Sequence, residues 1–340
     1  MENRTKIVTI QRHIMEQQAL LPTATGDFTL LLWDLVLAFK MISREVNRAG
    51  LAAILGPAGH ENVQGEEVTK LDDFAQSRIF EQMDHGGHLC CMASEEADGL
   101  IPIPERFPKG KYVLLFDPLD GSSNVDVNAS LGTIFSIHRK RTPGVDGSVE
   151  DCLQRGSEQV AAGYAVYGSS TMLVYTAGRG VHGFTLDPSL GEFLLSHENI
   201  RIPRRGKSYS VNEGNERNWD EGTRRYVNYL KEKDKATNRP YALRYIGTLV
   251  ADFHRILLKG GIFLYPPDCS DPAKPKPKLR LLYEVSPMAI IAEQAGGAAT
   301  TGRERVLDVQ PTDIHQRVAI ALGSPEDVRE YEDFVQGRRP

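Results

Sequence analysis

Residues 112–124 read YVLLFDPLDGSSN, an apolar, strand-like run that ends in two aspartates, Asp117 and Asp120. Gly121, Ser122 and Ser123 follow at once. Taken alone the segment is a turn, because Asp-Pro and Asp-Gly are both turn dipeptides. Two other apolar runs change that reading. LCCMAS (residues 89–94) is followed by Glu95 and Glu96, and LRLLY (279–283) by Glu284. In α/β sheets, ligand sites gather beyond the carboxyl ends of the strands. If the three runs lie side by side, five carboxylates converge on one crevice. Their repulsion raises pKa values unless cations neutralise them. All-oxygen ligands suit a hard cation such as Mg²⁺ or Mn²⁺, and about two or three ions are expected for so many acids. Gly121 allows close backbone approach to a ligand, and successive N–H groups there can hold an anion. Ser122 and Ser123 add hydroxyl donors. Metals beside an anion cradle point to hydrolysis of a phosphate ester.

Composition sets the frame. The 340 residues suggest about two domains, and 41% hydrophobic with 25% charged residues is ordinarily globular. Forty basic against 45 acidic residues leave a net charge of −5, which argues against a protein that coats nucleic acid. Cys90, Cys91, Cys152 and Cys269 fit no zinc spacing, and Cys90 and Cys91 read as small buried apolar residues. The N-terminal MENRTKIVTIQRH lacks the apolar core of a signal peptide. The most apolar stretch, 30–42, is broken by Asp34 and Lys40 and is too short to span a bilayer. A soluble, cytoplasmic protein with no membrane or nucleic-acid partner is expected.

Apolar spacing predicts helices over 27–49, capped by Thr25 or Asp27 and stopped by Gly50, and over 68–83. Strands dominate 112–193; helices resume at 223–231 and 250–259. LRLLY reads as a buried strand, followed by a helix over 287–295 with Ser286 as cap. The polar stretch 201–210 is the expected hinge between domains.

SEE at 94–96 with DPLDGSSN at 117–124 resembles the signature of the lithium-sensitive, metal-dependent phosphatase superfamily, which also holds the inositol monophosphatases. GTIFSIHRK, VAAGYAVYGSSTMLV, SVNEGN, RYIGTLVADFHR, KLRLLYE and LGSPEDV are similar to the class I fructose-1,6-bisphosphatase family, from about residue 5 to the C-terminus. The resemblance implies an α/β fold of five αβαβα layers, with an N-terminal domain over 1–200 and a smaller α/β domain over 201–340. It implies metal ligation by Glu95, Asp117, Asp120, Glu284 and the carbonyl of Leu119. Glu66, where the family more often has Asp, would reach the metals from a loop. Glu96 matches the water-activating carboxylate, with Asp72 as its partner. Asp120, Gly121, Ser122 and Ser123 would hold the phosphate being cleaved, with Asn124 nearby.

Asn212, Arg244, Tyr245, Tyr265 and Lys278 match the set that binds the sugar and its distal phosphate. Arg244 would serve the neighbouring subunit's site, which implies a homo-oligomer, a tetramer in this family. Vertebrate members carry Tyr where this chain has Asn215. Thr25, Gly26, Asp27, Phe28, Thr29, Lys111, Tyr112 and Arg139 match an inhibitory AMP site, although Ala19-Leu20-Leu21-Pro22 replaces a more polar segment upstream. The cysteine-rich insertion of plastid members is missing, so thiol regulation is not expected. The implied reaction is hydrolysis of the 1-phosphate of fructose 1,6-bisphosphate. The rivals are a sedoheptulose 1,7-bisphosphatase, an inositol phosphatase, and a catalytically silent sugar-phosphate sensor.

Overall fold

The computed structural model of the protein describes residues 7–19, 26–49, 51, 56–61 and 67–339. Strand Tyr112–Asp120 is buried at every position. Leu114 and Phe116 face one apolar cluster, Val113 and Leu115 another, the two-residue period of a strand covered on both sides. It pairs parallel with Leu89–Ser94 and antiparallel with Leu131–Arg139. The sheet continues through Ala161–Tyr167, Thr171–Thr176, His182–Asp187 and Glu192–His197, with Ile101–Pro102 at its other edge.

Five layers follow from what covers each sheet. Helices Ile10–Ala19, Asp27–Val46 and Lys70–Met83 place Ile14, Leu35, Phe39 and Ile79 against Phe116, Phe135 and Phe184. On the opposite face, Phe253 and Ile291 of helices Leu249–Lys259 and Ser286–Gln294 pack between Ile134 and Tyr164 of this sheet and Phe263 and Leu322 of a second. That second sheet orders Ala242–Leu243, Ser208–Ser210, Ile262–Tyr265, Ile320–Gly323 and Ala298–Thr300. Its outer face is closed by Tyr226, Tyr331 and Phe334 of helices Glu221–Lys231 and Pro325–Val335. The order is αβαβα.

Several local expectations are corrected. LRLLY is a strand only at Leu279–Arg280; a π-helical turn, Leu281–Val285, then runs directly into helix Ser286–Gln294. A short apolar run buried on all sides fits strand and helix alike, so periodicity could not separate them. Ser286 is therefore a helical residue, not a cap. Helix 27–49 ends at Val46, and its cap position is Gly26 in the left-handed region (φ 88°), with no side-chain cap. Thr25 and Gly50 lie outside the described residues, as does Glu66. The helix expected from 68 begins at Lys70, after the short strand Glu67–Thr69, and is set by a Thr69/Asp72 capping box. The stretch 201–210 is tied down along its length: Ile202 N–H donates to Ala295, Gly206 N–H to Asp327, and Arg205 pairs with Glu330 at 2.8 Å.

Candidate active site

Parallel register pairs Ser94 with Phe116, which sets Glu95 beside Asp117. Glu95 N–H still donates to the Phe116 carbonyl at 3.2 Å. Beyond Asp117 the antiparallel register slips, because Asp117 faces Ile134 while Asp120 faces Gly132. Three residues span two, a bulge, and bulges re-aim side chains. Thr133 Oγ1 anchors the bulge on the Pro118 carbonyl at 2.8 Å, and Leu119 N–H returns to Asp117 Oδ1 at 2.9 Å.

Carboxylate oxygens of Glu95, Asp117 and Glu284 lie within 4.8 Å of one another, and all three residues are buried. Burial pushes the Asp117 carboxyl well up, and Glu95, Asp120, Glu284 and Glu96 push in the same direction. The sequence reading passed over one cation for this site, an arginine inside LRLLY. Arg280, 4% exposed, puts Nη1 2.6 Å from Glu95 Oε1 and 3.9 Å from Glu284 Oε2, while its backbone N–H donates to Glu284 at 2.6 Å. A cation inside an apolar run was the available signal, since a buried charge needs a partner. One guanidinium does not balance the five acids, and oxygen ligands in this arrangement fit a hard divalent ion.

Asp120 takes a different position from the other acids. Its carboxylate accepts N–H bonds from Leu249 at 3.3 Å and Val250 at 2.7 Å, the first turn of helix Leu249–Lys259. That helix comes so close because Gly132 has no side chain: a Cβ would stand 2.4 Å from Val250 Cγ2. Gly121 is left-handed at φ +82°, and a Cβ there would meet Thr248 Oγ1 at 2.4 Å. Thr248 also accepts from Asn124 Nδ2 at 3.1 Å. The sequence reading passed over both Thr248 and Asp252, whose carboxylate takes the N–H groups of Ile246 and Gly247 and so shapes the 244–248 turn.

Asp72 is buried, and burial lifts its carboxyl to about 6 against hydrogen bonds from Thr69 and Ser122. A cleft of about 580 Å³ joins Asp72, Glu95, Glu96, Asp117, Leu119, Asp120, Gly121, Ser122, Ser123 and Glu284 with Tyr245, Tyr265 and Lys278. Asn212 lines an adjoining cleft of about 150 Å³, which shares Tyr265 and Lys278 with the first. Arg244 lines neither; it is exposed and its Nη1 donates to the Leu243 carbonyl.

A separate cleft of about 200 Å³ opens at the far end of the same strand. Gly26, Phe28, Thr29, Lys111, Tyr112 and Arg139 line it together with His13 and Gln18. Asp27 stands outside the lining, its carboxylate 2.6 Å from Lys111 Nζ. Among the described residues, no helix is long and apolar enough to cross a membrane.

Layering and acid-lined cleft together define a sugar-phosphatase type of α/β protein. The family model for the fructose-1-6-bisphosphatase N-terminal domain matches residues 8–198 and that for its C-terminal domain residues 202–336. The chain belongs to the fructose-1,6-bisphosphatase family, which is metal-dependent. It is 59% identical to a fructose-1,6-bisphosphatase class 1 of Chloroherpeton thalassium, over 98% of this chain and 95% of that one. It is 58% identical to the same enzyme of Chlorobium chlorochromatii, over 98% and 100%. A crystal structure of Leishmania major fructose-1,6-bisphosphatase in holo form superposes with a TM-score of 0.89 at 40% identity, covering 97% of this chain and 99% of that one.

Proposed function

We propose that the protein is a class I fructose-1,6-bisphosphatase: it hydrolyses the 1-phosphate of fructose 1,6-bisphosphate to fructose 6-phosphate and phosphate, in gluconeogenesis or sugar-phosphate cycling. The observation that carries this reading is the single cleft whose lining holds the Glu95, Asp117 and Glu284 cluster together with Gly121, Ser122, Ser123, Tyr245, Tyr265 and Lys278. Glu95, Asp117, Glu284, the Leu119 carbonyl and Asp120 would hold Mg²⁺ or Mn²⁺, two or three per subunit in this reading. Bound there, the cations polarise the phosphoryl group and acidify a water.

Glu96, supported by Asp72, takes the proton of the attacking water. Burial lifts the Asp72 carboxyl to about 6, near the range in which a carboxyl exchanges a proton at neutral pH. Backbone N–H groups and hydroxyls of Gly121, Ser122 and Ser123 hold the transferring phosphate. Asn212, Tyr245, Tyr265 and Lys278 orient the sugar and its distal phosphate, with Arg244 supplied by the neighbouring subunit of a homo-oligomer, a tetramer by this reading. Residues 1–200 and 201–340 are the two domains of that arrangement, and the cytoplasm is its compartment. Release of phosphate from fructose 1,6-bisphosphate, sedoheptulose 1,7-bisphosphate and inositol 1-phosphate, with and without Mg²⁺, tests the assignment. Preference for inositol 1-phosphate, or full turnover after exhaustive chelation, would sink it.

The second cleft is the effector site in this reading, and its ligand is AMP. Lys111 and Arg139 flank Tyr112, at 5.8 and 5.5 Å from its ring centroid, two cations for a phosphate beside an aromatic face for the base or ribose. A titration of AMP against activity in wild type and Lys111→Ala decides this. Inhibition that is absent, or unmoved by the substitution, removes the site.

A further inference from the structure

The small cleft beside the acid-lined one contains more donors than the sugar-binding set accounts for. Besides Asn212, Tyr265 and Lys278 it is lined by Asn215, Asn218 and Lys276. Tyr265 and Lys278 line both clefts, so the two adjoin at these residues. Asn212, Asn215 and two lysines in the lining of one small space suit an anion with several acceptor oxygens.

Lys276 is held in place by the backbone around it. Residues 266–278 form a loop closed on itself, with Asp268 N–H donating to the Lys276 carbonyl at 2.9 Å and Lys276 N–H to the Asp268 carbonyl at 2.8 Å. The loop is tied to the cleft floor by Cys269 N–H on the Asn218 carbonyl at 2.6 Å. Asp268, the acid of this cleft, has its carboxylate engaged: Oδ1 accepts from Ser270 N–H at 2.8 Å and Oδ2 from Asn218 Nδ2 at 3.0 Å. Its hydrogen bonds, first that of Ser270, and the nearby Lys276 charge hold its carboxyl below the usual range, so it stays an anion that orients the loop and Lys276 with it. Lys276 is thus presented to the cleft by a fixed hairpin, as a point charge on a flexible stem.

We infer that Lys276 is a further specificity-determining contact for the distal phosphate of the sugar bisphosphate. The inference rests on the reading above that this phosphate lies among Asn212, Tyr265 and Lys278. A dianion at that corner would then meet two lysines of its own chain, and the enzyme would discriminate against substrates with a single phosphate at the cleaved end.

The test compares kcat and KM for fructose 1,6-bisphosphate and fructose 1-phosphate in wild type, Lys276→Met, Lys278→Met and Lys274→Met. Met keeps an apolar stem and removes the charge, and Lys274 lies on the same loop but lines neither cleft. Lys276→Met is expected to lose about ten-fold in kcat/KM on the bisphosphate, the worth of one charged hydrogen bond at an accessible site, mostly through KM. On the monophosphate its loss is several-fold smaller, and Lys276→Arg restores most of the bisphosphate activity. Equal losses on both substrates would make the residue merely structural and overturn the inference. So would a Lys276→Met no worse than Lys274→Met. If Lys278→Met also leaves the bisphosphate KM unmoved, the placement of the distal phosphate itself is wrong. A Lys278 effect without a Lys276 effect overturns only the present inference.

Discussion

At Asp117, burial and four neighbouring carboxylates all act against the ionised form. Arg280 offsets part of that charge through Glu95 and Glu284, and a divalent ion would offset more. Removing a ligand and removing a base therefore have different signatures. Glu96→Gln is expected to lose about 10²- to 10⁴-fold in kcat while Mn²⁺ still binds, because a general base acts on the water and not on the ion. Asp117→Asn is expected to weaken Mn²⁺ binding directly, as read by titration calorimetry in the absence of substrate. A Glu96→Gln enzyme that turns over like wild type would remove the base assignment. The acids were legible because strand ends in α/β sheets collect ligand groups. Arg280 was legible only as a buried charge in need of a partner, since nothing in LRLLY says which acids the arginine turns toward.

Secondary-structure elements supply the second kind of information. Helix Ile10–Ala19, which the apolar pattern did not announce, docks His13 against His182 of strand His182–Asp187 with ring centroids 4.4 Å apart. Burial first, then the nearness of His182, lowers the His13 imidazole from 6.5 to about 4, Glu16 opposing; burial also lowers His182, opposed by a hydrogen bond to the Arg179 backbone and by Glu198. Tyr175 and Phe184, the other rings against His13, carry no charge near neutral pH. The unfolded chain thus takes up protons near pH 6.5 that the folded chain refuses until about 4. Stability from this packing is full above that window and lost as pH falls through it. Wild type should show a lower Tm at about pH 5 than at about pH 7, and His13→Leu should narrow that difference. Parallel Tm profiles for the two proteins would exclude the histidine pair as the cause. Turn Leu281–Val285 teaches the complementary lesson: its apolar residues were visible in sequence, but its helical form depends on Leu281 and Tyr283 being buried against different clusters.

For the molecule as a whole, the proposed sharing of a site between subunits makes a testable claim. Arg244 lies outside both clefts of its own chain, beside Leu243 and Ile246, which are 39% and 48% exposed. An apolar rim around an outward-facing arginine suits a partner subunit. Mixing Arg244→Ala with Asp120→Asn subunits should then recover activity, since one site of each mixed pair combines an intact Asp120 with the partner's intact Arg244. Random pairing about a two-fold axis predicts about a quarter of wild-type turnover. No recovery above either parent, with mixed oligomers confirmed by native mass spectrometry, would count against a shared site.

Residue order alone was enough to name the chemistry. Carboxylates after apolar runs, with a glycine and two serines after Asp120, point to metal-assisted phosphate ester hydrolysis; the distant tyrosine, amide and lysine donors were identified only through the resemblance to a family. What only tertiary structure decided is which of them meet. Parallel register sets Glu95 beside Asp117, and a bulge redirects Asp120 to a helix start. Arg280 comes in among the acids, and a closed loop sets Lys276 in the lining of the adjoining cleft. These are long-range contacts set by strand pairing and close packing, and no local pattern in the chain encodes them.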